Sequence, residues 1–360
     1  MSRDSLYGER ILWSGRPKLL STPPLYRYVA VACAATAVVS FLFATVVAVS
    51  LQADVTQMLL FGGFCATVAL LSWRLPKVWQ AGVEYLVTER HVIWRRGAIR
   101  RSIDRSAISY ARIVWATGED GVGDLVLVRA VPTGALKRTL SLTLGGVEAP
   151  DRLWSLVRGQ EPAKSLGLGS RPLAQRLDDG ERVLWSGIPK SSRWTPRRVL
   201  LSIVSVLLVA SAVLSTARAV PPMLRVIRLH VLGGALSAAF VGGIAIGALL
   251  VFAAAALTFW YAVVRPRHLA QSTRYFVTDR RVLIRRGPEE LSLDRSRIAY
   301  VIATGPAADS DVFLVLDGPQ ARALSPSGAF GESPERDSLL PVLSGIDDAD
   351  GAVEILKEAA

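Results

Sequence analysis

The stretch YLVTERHVIWRRGAIRRSIDRSAISY, residues 85–110, occurs a second time as YFVTDRRVLIRRGPEELSLDRSRIAY, residues 275–300. The two align without a gap at an offset of 190 residues, and 14 of the 26 positions are identical. Short apolar runs separated by polar turns are typical of antiparallel strands, and Gly97 ends the second run. The chain therefore contains a β-rich segment in two copies.

A shorter pair of stretches precedes these segments. GERILWSGRPK covers residues 8–18 and GERVLWSGIPK covers residues 180–190, with nine of eleven letters identical. Because internal repeats decide the organisation of a chain before its elements are assigned, we interpret the 360 residues as a duplication. We expect each GER-LWSG motif to cover its own β-rich module or to lie at a membrane surface, with Trp13 and Trp185 as anchors.

The apolar stretches between motif and module predict two transmembrane hairpins. The expected spans are Tyr28–Leu51, Val55–Trp73, Val199–Ala217 and Leu236–Ala262, none of which contains a charged residue. A helix needs about 20 residues to cross a hydrocarbon core about 30 Å thick. Core helices of a large soluble domain rarely run so long without charge, which favours membrane spans. Pro221-Pro222 and Gly233-Gly234 predict an interfacial or kinked segment at residues 220–235.

Basic residues flank both hairpins and set their expected orientation. The connection at residues 52–54 contains no Lys or Arg, whereas the outer flanks contain many. Because cytoplasmic flanks are enriched in Lys and Arg, we expect a multi-pass protein of the cell (inner, cytoplasmic) membrane with both termini in the cytoplasm. Arg218, Arg225 and Arg228 are exceptions. The expected membrane-interface anchors are Trp73, Trp79, Trp194 and Trp260.

Composition excludes several classes of site. The net charge is +12, but the arginines flank the apolar spans, which favours an anionic membrane surface over nucleic acid. Cys33 and Cys65 lie inside apolar runs and the three histidines are scattered, so we expect neither a disulfide framework nor a metal site. No nucleophile–base pair or cofactor loop is visible, and we therefore expect a protein that is not an enzyme and has no cofactor.

The modules themselves predict small barrels. Strands are expected at Glu84–Val87, Val92–Arg96, Ile99–Ile103, Ile108–Ala116, Asp124–Arg129 and Thr139–Leu144, followed by a helix at Ala149–Arg158, and the second copy repeats this order. Short antiparallel strands and one helix predict a partly open barrel capped by that helix. The expected domains are an N-terminal segment (1–27), a hairpin (28–79), a module (80–160), a linker with the second motif (161–198), a hairpin (199–264) and a module (265–360).

The motif Tyr-x-Val-Thr-(Glu/Asp)-Arg-x-Val-(Ile/Leu)-x-Arg-Arg-Gly resembles the bacterial pleckstrin-homology (PH)-like family, in its membrane-anchored form. GER-LW-G-P before a helix pair is also similar to that family. The resemblance implies an α+β membrane protein with four transmembrane helices in two hairpins and two PH-like antiparallel β-barrels, each with a C-terminal helix. It implies no catalytic residue. The second copy departs from the first at Glu289-Glu290, which replace Ile99-Arg100, and its segment Gln320–Glu335 has the composition of a loop.

Clustered arginines are the candidate contact residues for anionic lipid or a protein partner. They are Arg95, Arg96, Arg100, Arg101 and Arg105 in the first copy and Arg280, Arg281, Arg285 and Arg286 in the second. The planar guanidinium binds phosphate oxygens through two bonds. Adjacent strand residues point to opposite faces, so one surface cannot collect them all. The alternative is that these charges only fix topology and solubility.

Two functional hypotheses follow. The first is a non-enzymatic membrane protein that presents two cytoplasmic PH-like domains for protein assembly or anionic-lipid contact, in envelope maintenance for example. Its partners would be membrane lipids and a protein or a second copy of the chain. The second is a transporter or channel component, against which the uncharged span interiors argue, because charged residues usually mark substrate paths in membranes.

Overall fold

The computed structural model describes residues 5–6, 9–19, 22–52, 54–131, 138–161, 172–189, 194, 196–228, 234–304, 310–316 and 339–357. The chain divides into a helical unit of residues 22–77 and 194–266 and a β-rich unit formed by the remainder. The segment at residues 320–335 lies outside the described residues.

Helices account for the apolar stretches and for the end of each module. They are α1 (Pro24–Leu51), α2 (Thr56–Ala81), α3 (Pro150–Val157), α4 (Pro196–Arg228), α5 (Gly234–Phe259), α6 (Arg265–Ser272) and α7 (Ala349–Lys357). A π-helical turn, Trp260–Val264, joins α5 to α6. Within the part of the chain that the structure describes, four stretches are long and apolar enough to cross a membrane: Leu25–Val49, Thr56–Ala81, Arg198–Arg225 and Val241–Ser272. The chain is therefore compatible with a multi-pass membrane protein.

Residues 220–235, which we expected to form an interfacial or kinked segment, begin inside a helix. Helix α4 continues through Pro221 and Pro222 and ends at Arg228. A proline removes one backbone hydrogen bond, but its ring fixes φ near −65°, which is a helical value. Each proline therefore removes a hydrogen bond of the helix without ending it, and residues 229–233 lie outside the described part of the chain.

Polar side chains connect neighbouring helices within the helical unit. The Ser40 hydroxyl donates to the Met58 carbonyl at 2.8 Å, which joins α1 to α2. The Ser205 hydroxyl donates to the Ala255 carbonyl at 3.0 Å. The buried Arg198 donates through Nε to the carbonyl of Ala262, in the π-helical turn, at 2.9 Å. The last two bonds join the second helix pair towards one end, where α4 begins and α5 finishes.

Fifteen described strands form the β-rich unit. They are β1 (Ser5–Leu6), β2 (Glu9–Gly15), β3 (Glu84–Thr88), β4 (His91–Arg96), β5 (Ile99–Asp104), β6 (Tyr110–Trp115), β7 (Val122–Val131), β8 (Arg138–Glu148), β9 (Val183–Gly187), β10 (Thr273–Thr278), β11 (Arg281–Arg286), β12 (Glu289–Asp294), β13 (Ile298–Thr304), β14 (Ser310–Leu316) and β15 (Val342–Ile346). We call β2–β8 with α3 the first module, and β9–β15 with α7 the second module.

These strands lie in three antiparallel sheets. Their orders are β1-β2-β3-β4-β5, β8-β7-β6-β12-β11-β10-β9 and β13-β14-β15. The small barrels predicted from the sequence are partly open ones, and the described strands close no barrel. The reason is that β6 of the first module pairs with β12 of the second, so the middle sheet belongs to both modules.

Each module has its own hydrophobic core. The first core includes Val87, Leu125 and Leu127 and is closed by Leu153, Trp154 and Val157 of α3. The second core includes Val277, Leu291 and Leu343 and is closed by Ala349, Ala352 and Leu356 of α7. Tyr110, Val126 and Val128 of the first module also belong to the second core. The outer face of β6 and β7 is thus buried against the second module.

Candidate interaction surface

The GER-LWSG motif forms the first strand of each module's own sheet. Strand β2 pairs with β3 of the Tyr-x-Val-Thr stretch, and β9 pairs with β10. The chain therefore leaves the first module after β2, forms α1 and α2, and returns to the module at β3. The same holds for α4 to α6 in the second module.

A glutamate–threonine contact explains why Glu and Thr occur in both motif pairs. In the first module, Thr88 Oγ1 donates to Glu9 Oε2 at 2.6 Å, and His91 Nδ1 lies 2.9 Å from Glu9 Oε1. In the second, Thr278 Oγ1 donates to Glu181 Oε1 at 2.6 Å. Arg281 occupies the position of His91 and holds Glu181 with Nε at 3.0 Å and Nη2 at 2.8 Å.

These contacts change the pKa of both glutamates. Hydrogen bonds from Thr88 and then from His91 lower the pKa of Glu9. Burial by itself would raise the pKa of Glu181, but the hydrogen bonds and charge of Arg281, together with Thr278, lower it below the ordinary value. Both carboxylates are therefore stabilised in their charged form, as structural acceptors.

The tryptophan and glycine of the motif also act together. A Cβ atom on Gly15 would lie 2.5 Å from the ring carbon Cη2 of Trp13, and one on Gly187 would lie 2.2 Å from Cη2 of Trp185. Both indole rings pack against the core of their own module. A glycine two residues after the tryptophan thus leaves room for the ring to fold back over its own strand.

A buried tyrosine connects the two sheets of each module. Tyr85 donates to the Gly145 carbonyl at 3.0 Å and accepts from the Gly145 N–H at 2.9 Å. Tyr275 contacts Ser344 in the same way, at 3.3 and 3.1 Å. Burial raises the pKa of each phenol to about 12. Each phenol therefore stays neutral and ties β3 to β8, or β10 to β15.

The repeated Asp-Arg-Ser turn is structural. The carboxylate of Asp104 accepts from the backbone N–H of Ser106 at 2.8 Å. Arg105 points the other way and donates to the carbonyls of Leu156 and Val157, at the end of α3, at 2.9 and 2.8 Å. In the second module Arg295 likewise donates to the carbonyl of Ile355 in α7. A cation suits a helix C-terminus, where the last carbonyls lack partners.

The two modules are joined by a backbone ladder. In the register of β6 and β12, Val114 lies opposite Glu289, Ile113 opposite Glu290 and Arg112 opposite Leu291. The Trp115 N–H extends the ladder by donating to the Pro288 carbonyl at 3.0 Å.

Buried ion pairs reinforce this junction. Arg176, which is 2% exposed, lies 2.6 Å from Glu290 of β12 and places its guanidinium 4.6 Å from the centre of the Trp115 ring. A charge removed from water is costly unless it is paired. Arg176 belongs to the linker, so the ion pair fixes linker, first module and second module to one another.

A second group of charges joins the end of α3 to the second module. Arg158 lies 3.3 Å from Asp178 of the linker and 2.7 Å from Asp294 in the turn after β12. Asp178 also contacts Arg281 at 3.2 Å, beside Glu181. Five charged side chains therefore form one network across the junction.

The candidate arginines of the first module separate onto two faces. Arg95 and Arg100 lie opposite each other on β4 and β5 and both are exposed. Arg101 lies on the other face, 5.9 Å from the ring centre of Trp94, and Arg96 stacks 3.5 Å above the ring of Trp79. Arg105 donates to the carbonyls at the end of α3. Arg95 and Arg100 therefore share one exposed surface, whereas Arg96 and Arg101 lie on the other face of the same strand pair.

The candidate arginines of the second module are mostly internal. Arg281 and Arg286 are buried, and Arg286 contacts Glu289 at 2.9 Å. Arg285 is half-buried, and burial lowers its pKa. Arg280 is exposed. Arg158, Arg176 and Asp178 lie outside the repeated stretches, and no sequence pattern marked them. The one signal was the unusual Glu289-Glu290 on a strand.

The four predicted interface tryptophans are all partly exposed and most have a cation beside them. Lys77 lies 4.8 Å from the ring centre of Trp73, and Arg198 lies 5.0 Å from that of Trp194. Trp79 is covered by Arg96, and Trp260 is half-exposed at the start of the π-helical turn. An exposed ring beside a cation is compatible with the headgroup level of a membrane.

Among the described residues, no group of three or more His, Cys, Asp or Glu side chains could hold a metal ion. Comparison of the chain with family models, with curated proteins and with solved structures found no match.

Proposed function

We propose that the chain is a membrane-anchored scaffold that presents two PH-like modules, fused into one platform, for protein assembly at the cytoplasmic surface of the cell membrane. The observation that carries this proposal is the seven-stranded sheet shared by both modules. Residues of β6 and β7 are buried against the second core, and the junction contains the Arg158–Asp294 and Arg176–Glu290 ion pairs. A shared sheet holds the modules in one fixed arrangement, as a scaffold requires.

The asymmetry between the modules indicates where a partner binds. Arg281 and Arg286 of the second module contact carboxylates inside the protein. In the first module, Arg95 and Arg100 are exposed on one face. The proposed contact surface therefore belongs to the first module.

Anionic lipid is a second candidate for the same surface. Each basic residue near an anionic membrane contributes about 1 kcal/mol, so Arg95 and Arg100 would add a modest attraction. Arg96 over Trp79 and Lys77 over Trp73 provide further cation and indole pairs of the type found at headgroup level.

Photo-crosslinking in native membranes tests the scaffold function. A photoreactive amino acid is placed at Arg95, at Arg100 or, as a matched control, at the exposed Arg280 of the second module. We expect defined protein adducts from positions 95 and 100 and none from position 280. Adducts that contain only lipid would support the lipid function instead. Equal labelling from all three positions would contradict a specific contact surface.

A further inference from the structure

Two pairs of equivalent strand edges could form a junction of this kind, and the junction inside the chain uses one of them. Strand β12 of the second module pairs with β6 of the first. In the aligned repeats, residues 99–104 of β5 correspond to β12, and Tyr110 of β6 corresponds to Tyr300 of β13. Among the described strands, β5 and β13 each have one partner and form sheet edges.

The exposure of equivalent strands differs accordingly. In β12, residues 290–293 are all buried, whereas in β5 residues 99–102 are all exposed. Ile99 is 48% exposed. The last two residues of β13, Ala303 and Thr304, are also exposed. An edge strand carries unpaired N–H and C=O groups, which are a template for pairing with another chain.

We propose that β5 of one chain pairs with β13 of a second copy, in the way that β12 pairs with β6 inside the chain. This names the partner of the scaffold and rests on the proposed function. The contact is head-to-tail, so it builds rings or filaments of chains and not a closed symmetric dimer.

The register of the contact follows from the internal junction. Glu289 lies opposite Val114 and Leu291 opposite Arg112. The equivalent pairs between chains are Ile99 with Thr304, and Arg101 with Ile302. Residues 298–304 include no charged side chain, so β13 presents no like charge to Arg100 or Arg101 of the neighbouring chain.

An ion pair of the internal junction also has its equivalent between chains. Arg158, directly after α3, contacts Asp294 in the turn after β12 at 2.7 Å. The equivalent positions are Lys357 at the end of α7 and Asp104 in the turn after β5. Both side chains are exposed and opposite in charge, so the head-to-tail contact brings a cation to the same carboxylate position.

The first module has Ile99-Arg100 where the second module has Glu289-Glu290. This difference decides which of the two equivalent strands, β5 or β12, forms the junction inside the chain. Glu290 contacts Arg176, which the linker supplies from within the chain. Arg100 cannot make that ion pair and would repel Arg176. Strand β5 of the first module is therefore unsuited to the internal junction, and its edge can pair with a second chain.

Disulfide crosslinking tests the pairing in full chains that lack Cys33 and Cys65. Ile99→Cys and Thr304→Cys are made in differently tagged chains and co-expressed in native membranes. The internal pair Glu289→Cys with Val114→Cys is the positive control, because it should crosslink within one chain. We expect mixed dimers from Ile99→Cys with Thr304→Cys, no dimers from either variant alone, and a ladder of larger species when one chain carries both.

Dimers from Ile99→Cys alone would overturn the proposal in favour of symmetric β5 pairing. Absence of mixed dimers while the internal control crosslinks would also overturn it. If the photo-crosslinked adducts at Arg95 persist in that case, the scaffold function stands and only the second copy is excluded as its partner. If those adducts are absent and the mixed dimers form, the head-to-tail contact stands without the Arg95 surface.

Edge-blocking variants give an independent measurement. The closing pair Arg96 and Ile99 flanks a two-residue turn, so the Ser102 N–H points away from β4 and towards the proposed partner strand. Ser102→Pro removes this donor, whereas the matched Ser102→Ala keeps it. We expect Ser102→Pro and Lys357→Glu to reduce mixed dimers several-fold and Ser102→Ala to leave them unchanged. Equal crosslinking in all three would contradict the proposal.

Discussion

The guanidinium of Arg158 lies 2.7 Å from the carboxylate of Asp294, although the two residues belong to different modules. Arg158 follows the last residue of α3, where a cation is favoured by the helix dipole. Asp294 caps the turn after β12, the strand that enters the first module's sheet. The contact therefore joins the end of one module to the edge of the other.

Arg158→Ala should weaken the junction strongly. It leaves the carboxylates of Asp178 and Asp294 without this cation in a largely buried site, and breaking a buried ion pair costs about 3–5 kcal/mol. We expect a lower thermal unfolding midpoint in detergent and faster proteolysis of the full chain. Arg182→Ala, which removes an exposed arginine of the linker, is the control and should change neither.

The Glu181 carboxylate should make stability depend on pH. Its pKa is lowered in the folded protein from the ordinary value of 4.5, so its contribution is fully present above that value and is lost as the pH falls through the lower folded pKa. In a series of unfolding midpoints from pH 7 to pH 3, Glu181→Gln should be less stable than the original chain at pH 7. The difference should shrink towards pH 3, and a constant difference would contradict the assignment.

Gly187→Ala should displace the Trp185 ring. The new methyl group would lie 2.2 Å from ring carbon Cη2, and overpacking of this kind costs about 1–3 kcal/mol. In a Trp185→Leu background the same substitution should cost much less, because the ring is gone. Unfolding of both single variants and the double variant measures this coupling, and additive losses would show that ring and glycine act independently.

Arg105→Ala should loosen the end of α3. Four backbone carbonyls accept from this guanidinium, including those of Glu89 and Leu156 at 2.8 and 2.9 Å. A hydrogen bond from a charged group contributes about 1.5–3 kcal/mol. Hydrogen exchange of the full chain should speed up in residues 150–157, and Arg105→Lys, which keeps the charge but loses the planar fork, should restore only part of the protection. Unchanged exchange in that helix would show that Arg105 does not hold it.

The expected topology places the first helix connection and the second module on opposite sides of the membrane. Ala53→Cys and Glu354→Cys, each in a chain lacking Cys33 and Cys65, should react with a membrane-impermeant thiol reagent from opposite sides. The charge pattern of the flanks is the reason. Labelling of both from the same side would mean that the hairpins do not cross as predicted.

The local elements follow from the sequence because their causes are local. Uncharged runs of helical length predicted α1, α2, α4 and α5, and alternation with tight turns predicted β3 at 84–87 and β4 at 92–96, within one residue of the observed strands. The contact partners of the GER-LWSG motif were not predicted, because β2 and β3 are separated by the whole of α1 and α2.

The sequence by itself determined that helices and strands occur twice in the same order, and that arginines cluster beside them. Only the tertiary structure decided which of these arginines are exposed at the surface and which are buried. Arg285 and Arg95 occupy the same position of the repeat, yet Arg285 is half-buried and Arg95 is exposed. The reason is that strand pairing between β6 and β12 buries one copy of an edge and leaves the other open, and sheet edges join residues far apart in the chain.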